Sequence, residues 1–234
     1  MKFTLLLSTV VSLLMSSCAG NFTGAQKAQM TSLHLPGAVT KPGAYLPPNY
    51  TSASDRAASD ALSAGLGFGL LGALASEIAA GVDRAADAKR YRASADALAK
   101  RPPAHLDHVF SQELHKCLKE SLFFGPKLTS NTHAPAKLNA VIRSFQLASV
   151  DDLLFTPVIV IETDFLINGQ SVRKKTYTSV SDVRMLHKSG LPPLRDSLEN
   201  YATDSKRLQS HFEETARRLA VQVAQDLGNA AVPK

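Results

Sequence analysis

Four places in the chain bring together side chains whose types could support chemistry. Ser171-Val-Arg-Lys174 sets a hydroxyl three residues before an amine, the spacing of a serine nucleophile and a lysine base. Such a pair is organised at a helix start. Here it falls among strand-forming residues, and a chain rich in Ser and Lys shows one such match by chance. His105, His108 and His115 form the only histidine cluster. His108 and His115 lie two helical turns apart, about 10 Å along the axis, too far for two nitrogens that must each sit ~2 Å from one ion. Asp151-Asp152 reads as a turn, where aspartate bonds its own backbone. Cys117 lies on the stripe Leu106, Val109, Phe110, Leu114, Cys117, Leu118, Leu122, where a thiol serves as a small apolar side chain. The chain contains no Gly-x-Ser-x-Gly, P-loop, dinucleotide fingerprint or His-Glu-x-x-His. The expectation is a protein that is not an enzyme, with no catalytic residue, no metal and no cofactor.

The other thiol has a different setting. Lys2 precedes an uncharged run from Phe3 to Ser17, and then Cys18 sits among small residues. A short basic start, an apolar centre and a small-residue cut have the form of an export signal over residues 1–17, shorter than the ~20 residues a membrane span requires. Met15-Ser16-Ser17-Cys18-Ala19-Gly20 resembles the bacterial lipobox. That resemblance implies acylation of the Cys18 thiol and removal of the leader. Each buried acyl CH₂ contributes roughly 0.8 kcal/mol, so two or three chains hold a protein on a bilayer. With Cys18 acylated, Cys117 has no partner for an internal disulfide.

Charge narrows the partners. Twenty-six basic and 20 acidic residues give +6, and no run of five or more like charges occurs. This excludes a nucleic-acid stripe or an acidic tail and suits an anionic membrane. Aromatics are 6% of the chain with no tryptophan, so the core must be largely aliphatic.

Composition divides the chain beyond the leader. Residues 18–55 are rich in Gly, Pro, Ser and Thr, which precludes a long helix and reads as an extended tether or a strip lying on the domain. Residues 56–101 form a Gly/Ala-rich helical segment in which Gly65 and Gly69 have the small-xxx-small spacing that lets backbones approach. Three readings of this segment stand: a flexible entry to a helix beginning near Leu70, a glycine-faced helix that packs closely or touches membrane, and a true span.

Residues 104–228 read as an α+β domain of order α-β-β-β-α, a three-stranded antiparallel sheet covered by two helices. The Cys117 helix ends at Gly125-Pro126, and KLNAVIRSFQLA supplies a strand whose aliphatics do not alternate cleanly. Asn168-Gly169 is the preferred two-residue hairpin turn. Folding there opposes Phe165 to Val172, Ile161 to Thr176 and Ile159 to Thr178. Asp164 then faces Arg173 and Glu162 faces Lys175 on the other side. Leu208, Phe212, Leu219, Val223 and Leu227 stripe the last helix, extended upstream by Leu194, Leu198 and Tyr201, with Gly228 as its C-cap. The outer sheet face, with Val160 and Tyr177, and the glycines Gly65 and Gly69 are the candidate binding residues.

The helix ending LKESLFF, the strand KLNAVIRSFQL with Phe145, the strand–turn–strand VIVIETDFLINGQSVRKKTY and the helix HFEETARRLAVQVAQDL resemble the auxiliary lipoproteins of bacterial ABC-type lipid transport. The same element order also looks like the lipopolysaccharide-assembly lipoprotein that plugs an outer-membrane barrel. Residues 56–101 depart from both and look like the GLLGAL-type stretch of assorted bacterial lipoproteins. The resemblance implies a non-catalytic accessory of envelope lipid transport, or alternatively a structural or assembly factor for an outer-membrane complex. Its partners would be the bilayer, through Cys18, and an envelope protein. It would face the periplasm, and Ala19-Gly20 after the cysteine favours the outer membrane.

Overall fold

A computed structural model of the 234-residue chain describes residues 21–41, 45, 93–101, 105–149, 154–179 and 194–231. In chain order these form α1 (Gly24–Gln29), β1 (Leu33–His34), β2 (Val39–Thr40), helical residues 93–99, α2 (Leu106–Glu120), a 3-10 turn (Gly125–Lys127), β3 (Leu128–Thr129), β4 (Ala136–Ser149), β5 (Phe155–Ile167), β6 (Gln170–Thr178), α3 (Leu198–Thr203) and α4 (Ser205–Ala231). The class is α+β, as the element pattern indicates. The sheet is not the expected three-stranded antiparallel one. Among the described residues it has six strands and is mixed, ordered β3-β1-β4-β5-β6, with β2 also on β4. The long strands β4, β5 and β6 pair antiparallel, and the three two-residue strands pair parallel. α2 packs along α4, and α4 lies on β5 and β6.

Two β-bulges set which side chains face the helices. In β4 the pairing runs from Ile142 opposite Ile161 to Ser144 opposite Val160, leaving Arg143 as the extra residue. Leu138, Ala140 and Ile142 point inward before it, and Phe145 and Leu147 after it. The broken alternation in KLNAVIRSFQLA is therefore a true strand with its parity flipped once. In β6, Leu166 opposes Ser171 whereas Phe165 opposes Arg173, so Val172 is the extra residue. Asn168 (φ 51°) and Gly169 (φ 80°) make the anticipated turn, with both residues in the left-handed region. Beyond it the expected register fails by one. Ile161 faces Tyr177 and Glu162 faces Thr176; Asp164 faces Lys174 rather than Arg173. A hydrophobic-in pattern read straight from the turn cannot register a bulge one step beyond it.

Helix ends differ from expectation for local reasons. α2 buries Leu106, Phe110, Leu114 and Leu118 but stops at Glu120, where Ser121 turns extended (ψ 129°). Ser121 Oγ accepts the Phe124 N–H, and Phe124 rather than Leu122 enters the core. A Cβ on Gly125 would lie 2.4 Å from the Lys119 carbonyl oxygen, so this return of the chain requires glycine. The last helical stripe is split at Asp204, whose Oδ1 accepts the Arg207 N–H and caps α4. α4 then runs through Gly228 to Ala231, so Gly228 is not a C-cap.

Of the two readings of residues 18–55, a tether or a strip lying on the domain, the described residues 21–41 and Tyr45 take the second. Thr23 and Gln26 form a capping box that starts α1. Phe22, Met30, Leu33 and Tyr45 are buried in the main core. The Ala38 N–H bonds Ser111 Oγ on α2, Lys41 donates to the Ile142 carbonyl, and Leu147 donates to the Tyr45 carbonyl. Pro36, between β1 and β2, keeps these strands short without preventing the strip from covering the outer edge of β4. Phe22→Ala is expected to cost about 3 kcal/mol of unfolding free energy in urea, as for a buried phenylalanine. A change below about 0.5 kcal/mol, as at an exposed site, would return Phe22 to a tether.

Candidate functional site

Because β6 is bulged, Arg173, Lys175 and Tyr177 turn toward α4, and one carboxylate receives them. Arg173 Nη2 is 2.8 Å from Asp226 Oδ2, Lys175 Nζ is 2.9 Å from Oδ1, and Tyr177 Oη donates to Oδ2 at 2.5 Å. The Arg173 side chain is only 6% exposed, so its charge depends on this neighbour. Burial alone would raise the Asp226 pKa, but the bonds from Tyr177, Arg173 and Lys175 outweigh it and hold it below the usual carboxylate value. Burial, then the bond to Asp226, pushes the Tyr177 phenol up, so it remains a donor. The Arg173 guanidinium also lies 6.0 Å from the Phe22 ring, joining this cluster to the start of the described chain.

A second polar cluster ties α3 and α4 to β5. Asp196 exchanges backbone bonds with Phe155, its carboxylate accepts from Ser197 N–H and Asn200 Nδ2, and Arg207 reaches it from α4. Tyr201 Oη is 2.8 Å from His211 Nδ1 and 3.4 Å from the Phe155 carbonyl. An Nδ1–H imidazole satisfies both contacts, with Oη accepting from His211 and donating to Phe155. Burial, then the Arg207 charge, lowers the His211 pKa, and burial raises that of Tyr201.

The opposite sheet face carries a third cluster. Glu162 takes Arg143 at 2.7 Å and Lys174 at 2.9 Å, and the hydrogen bond from Lys174 leads the forces that lower its pKa. Ser171 Oγ bonds Asp164, so Ser171 and Lys174 have separate partners and do not form a nucleophile–base pair. His105, His108 and His115 are exposed, and among the described residues no group of three His, Cys, Asp or Glu could hold a metal ion. Cys117 is half-buried with Sγ 3.8 Å from Glu113, and burial raises its thiol pKa.

The expected binding residues separate. Val160 and Tyr177 are 3% and 4% exposed and face opposite sides of the sheet, because Tyr177 opposes Ile161 and points inward. Cys18, Gly65, Gly69 and Asp151-Asp152 lie outside the described residues. Among the described residues, no helix is long and apolar enough to cross a membrane.

One exposed apolar feature departs from the helical stripe. Leu122 is 98% exposed at the turn after α2, and Lys127 Nζ sits 4.5 Å above the ring of its neighbour Phe123. Phe124, next in the turn, meets the Phe22 ring at 6.4 Å, and Phe22 packs on Phe165 at 4.9 Å. The Phe22 N–H bonds the Ala230 carbonyl, and Asn168 N–H bonds the Pro135 carbonyl. One pole therefore gathers the start of the described chain, the ends of α2 and α4, the β5–β6 turn and Leu122. The sequence signal for it is the stop of the α2 stripe at Ser121, masked by Leu122 falling four residues after Leu118.

No protein-family model and no curated protein sequence matches the chain.

The Asp226 cluster sets an acid dependence. Because its folded pKa is depressed, its stabilisation is complete above the ordinary value of 3.8 and is lost as pH falls through the folded value. Asp226→Asn is expected to cost about 2–3 kcal/mol at neutral pH, because Arg173 is left buried without its carboxylate. The variant should also show a flatter acid limb in urea midpoints between neutral pH and pH ~2. A loss under about 1 kcal/mol with an unchanged acid limb would show that the cluster contributes little.

Proposed function

We propose that the chain is a lipoprotein of the bacterial envelope, anchored by acylated Cys18 and facing the periplasm, with outer membrane favoured over inner. Its body acts without catalysis, as an accessory of an envelope lipid-transport system. The observation that carries this reading is Met15-Ser16-Ser17-Cys18-Ala19-Gly20 directly after the uncharged run Phe3–Ser17. The α+β body is consistent with a protein that presents a surface to a partner. The three polar clusters fit that role, since each joins secondary-structure elements: Asp226 binds α4 to β6, Asp196 binds the α3 entry to β5 and α4, and Glu162 links three strands. β6 supports it as well. Its outer edge has no neighbouring strand among the described residues, and the exposed side chains of Gln170, Ser171 and Lys174 line a surface suited to a polar partner.

Mass spectrometry of the native protein is expected to find a diacylated or triacylated N-terminal Cys18, and fractionation to find it with membranes. Another N-terminal residue, or free protein in the aqueous fraction, would overturn the anchor. Pull-down from detergent extract is expected to recover components of a lipid transporter. Crosslinking to an outer-membrane barrel instead would favour an assembly factor, and repeated recovery of neither would end the accessory reading.

A further inference from the structure

We infer that the Leu122–Phe123 turn is a second membrane contact, seated in the lipid interface beside the point where the acyl anchor leaves the body. The inference rests on the proposed anchor and adds a place and an orientation to it.

Three observations lead there. The first is exposure: Leu122 projects almost wholly into solvent, and among the described residues Val39 is the one other large apolar side chain that is exposed. Its position is fixed rather than loose, because Phe124 is fully buried two residues on and Gly125 abuts the Lys119 carbonyl. The leucine is therefore held out by the packing of its neighbours.

The second is reach. Phe22 is locked into the core by the Phe124 and Phe165 rings and by its bond to Ala230. Four Cα steps join Phe22 to Cys18, a span of at most about 14 Å. An acylated Cys18 thus keeps the pole bearing Leu122 close to the bilayer. The body does not stand off on a long tether, because the residues between Phe22 and Lys41 are packed on the body and along β4.

The third is the chemistry of the rim. Lys119 is exposed one turn from Leu122, and Lys127 lies over the Phe123 ring. Lys116 nearby is paired with Glu113, and Glu120 is the remaining acid of that helix end. An apolar tip flanked by the exposed Lys119 and by Lys127, whose ammonium lies over the Phe123 ring, suits a lipid interface in which the cations meet anionic headgroups. The occupant is therefore a bilayer containing anionic lipid.

The test uses the native acylated protein carrying Cys117→Ala and Leu122→Cys, labelled at 122 with an environment-sensitive fluorophore and reconstituted into vesicles of phosphatidylethanolamine and phosphatidylglycerol. A Val39→Cys variant, exposed but beside Val141 further along β4, serves as the control. The expected result is a blue-shifted emission at 122 that lipid-borne quenchers reduce and aqueous iodide does not, with the label at 39 remaining aqueous. In a companion measurement on protein with an unacylated Cys18→Ser, Leu122→Asp is expected to weaken sedimentation with the same vesicles about tenfold, the transfer free energy of one leucine expressed as a ratio. An aqueous label at 122 on acylated, vesicle-bound protein overturns the inference and leaves the anchor standing. A label buried in native membranes but aqueous in protein-free vesicles overturns it too, because a protein then covers the turn. Failure of the native protein to carry acyl chains or to bind vesicles brings down the anchor and this inference together.

Discussion

The fold depends on a carboxylate placed where three donors converge. Once the bulge at Val172 turns Arg173, Lys175 and Tyr177 toward the helix layer, β6 would bring two cations and a phenol against an apolar helix face. Isolated burial of such charges costs several kcal/mol each, far more than one hydrogen bond returns. Asp226 meets that constraint by accepting from all three, with two oxygens that have lone pairs to spare. It also pins the register of α4 on the sheet. α4 is about 40 Å long, and an amphipathic stripe alone tolerates sliding by one turn. A fixed carboxylate does not.

Residues 22–41 and Tyr45 close the other side of the sheet. β4 would otherwise be an edge strand of fourteen residues with open backbone groups. β1, β2 and the backbone bonds of Lys41 and Tyr45 pair with it in turn. This strip also determines how an anchor could work. With the chain locked at Phe22, little free polypeptide remains between body and Cys18, so membrane attachment would fix distance as well as location. The aromatic group of Phe22, Phe124 and Phe165 beneath that pole lets Leu122 be held outward, since the core position it would fill is already occupied.

Several elements are legible because their causes are local. Asn168-Gly169 makes its turn because both residues tolerate positive φ. The stripes of α2 and α4 bury Leu106, Phe110, Leu114 and Leu118, and Leu208, Phe212, Leu219, Val223 and Leu227, whereas Val109 and Cys117 are half-buried. Thr23-Gly-Ala-Gln26 is equally readable as a capping box, but its proline-rich setting leaves open a tether or a strip lying on the domain. Leu122 misleads for the opposite reason. Helical spacing includes it, but α2 stops at Glu120, and Phe124 rather than Leu122 enters the core.

By itself the sequence determined the α+β class, the hairpin turn, the apolar faces of both long helices and the expectation of a lipid-bearing Cys18. The first three arise from interactions among residues within about a turn of one another, or from composition; the last rests on the resemblance of Met15-Ser16-Ser17-Cys18-Ala19-Gly20 to the lipobox. Tertiary structure alone decided that the sheet has six strands and that Val160 and Tyr177 face opposite ways. It also decided that Asp226 gathers β6 and that Leu122 stands exposed in the turn whose Phe124 meets the Phe22 ring. The reason is that one extra residue in a strand reverses every side chain beyond it. Whether that reversal is tolerated depends on what a helix some fifty residues away offers in return.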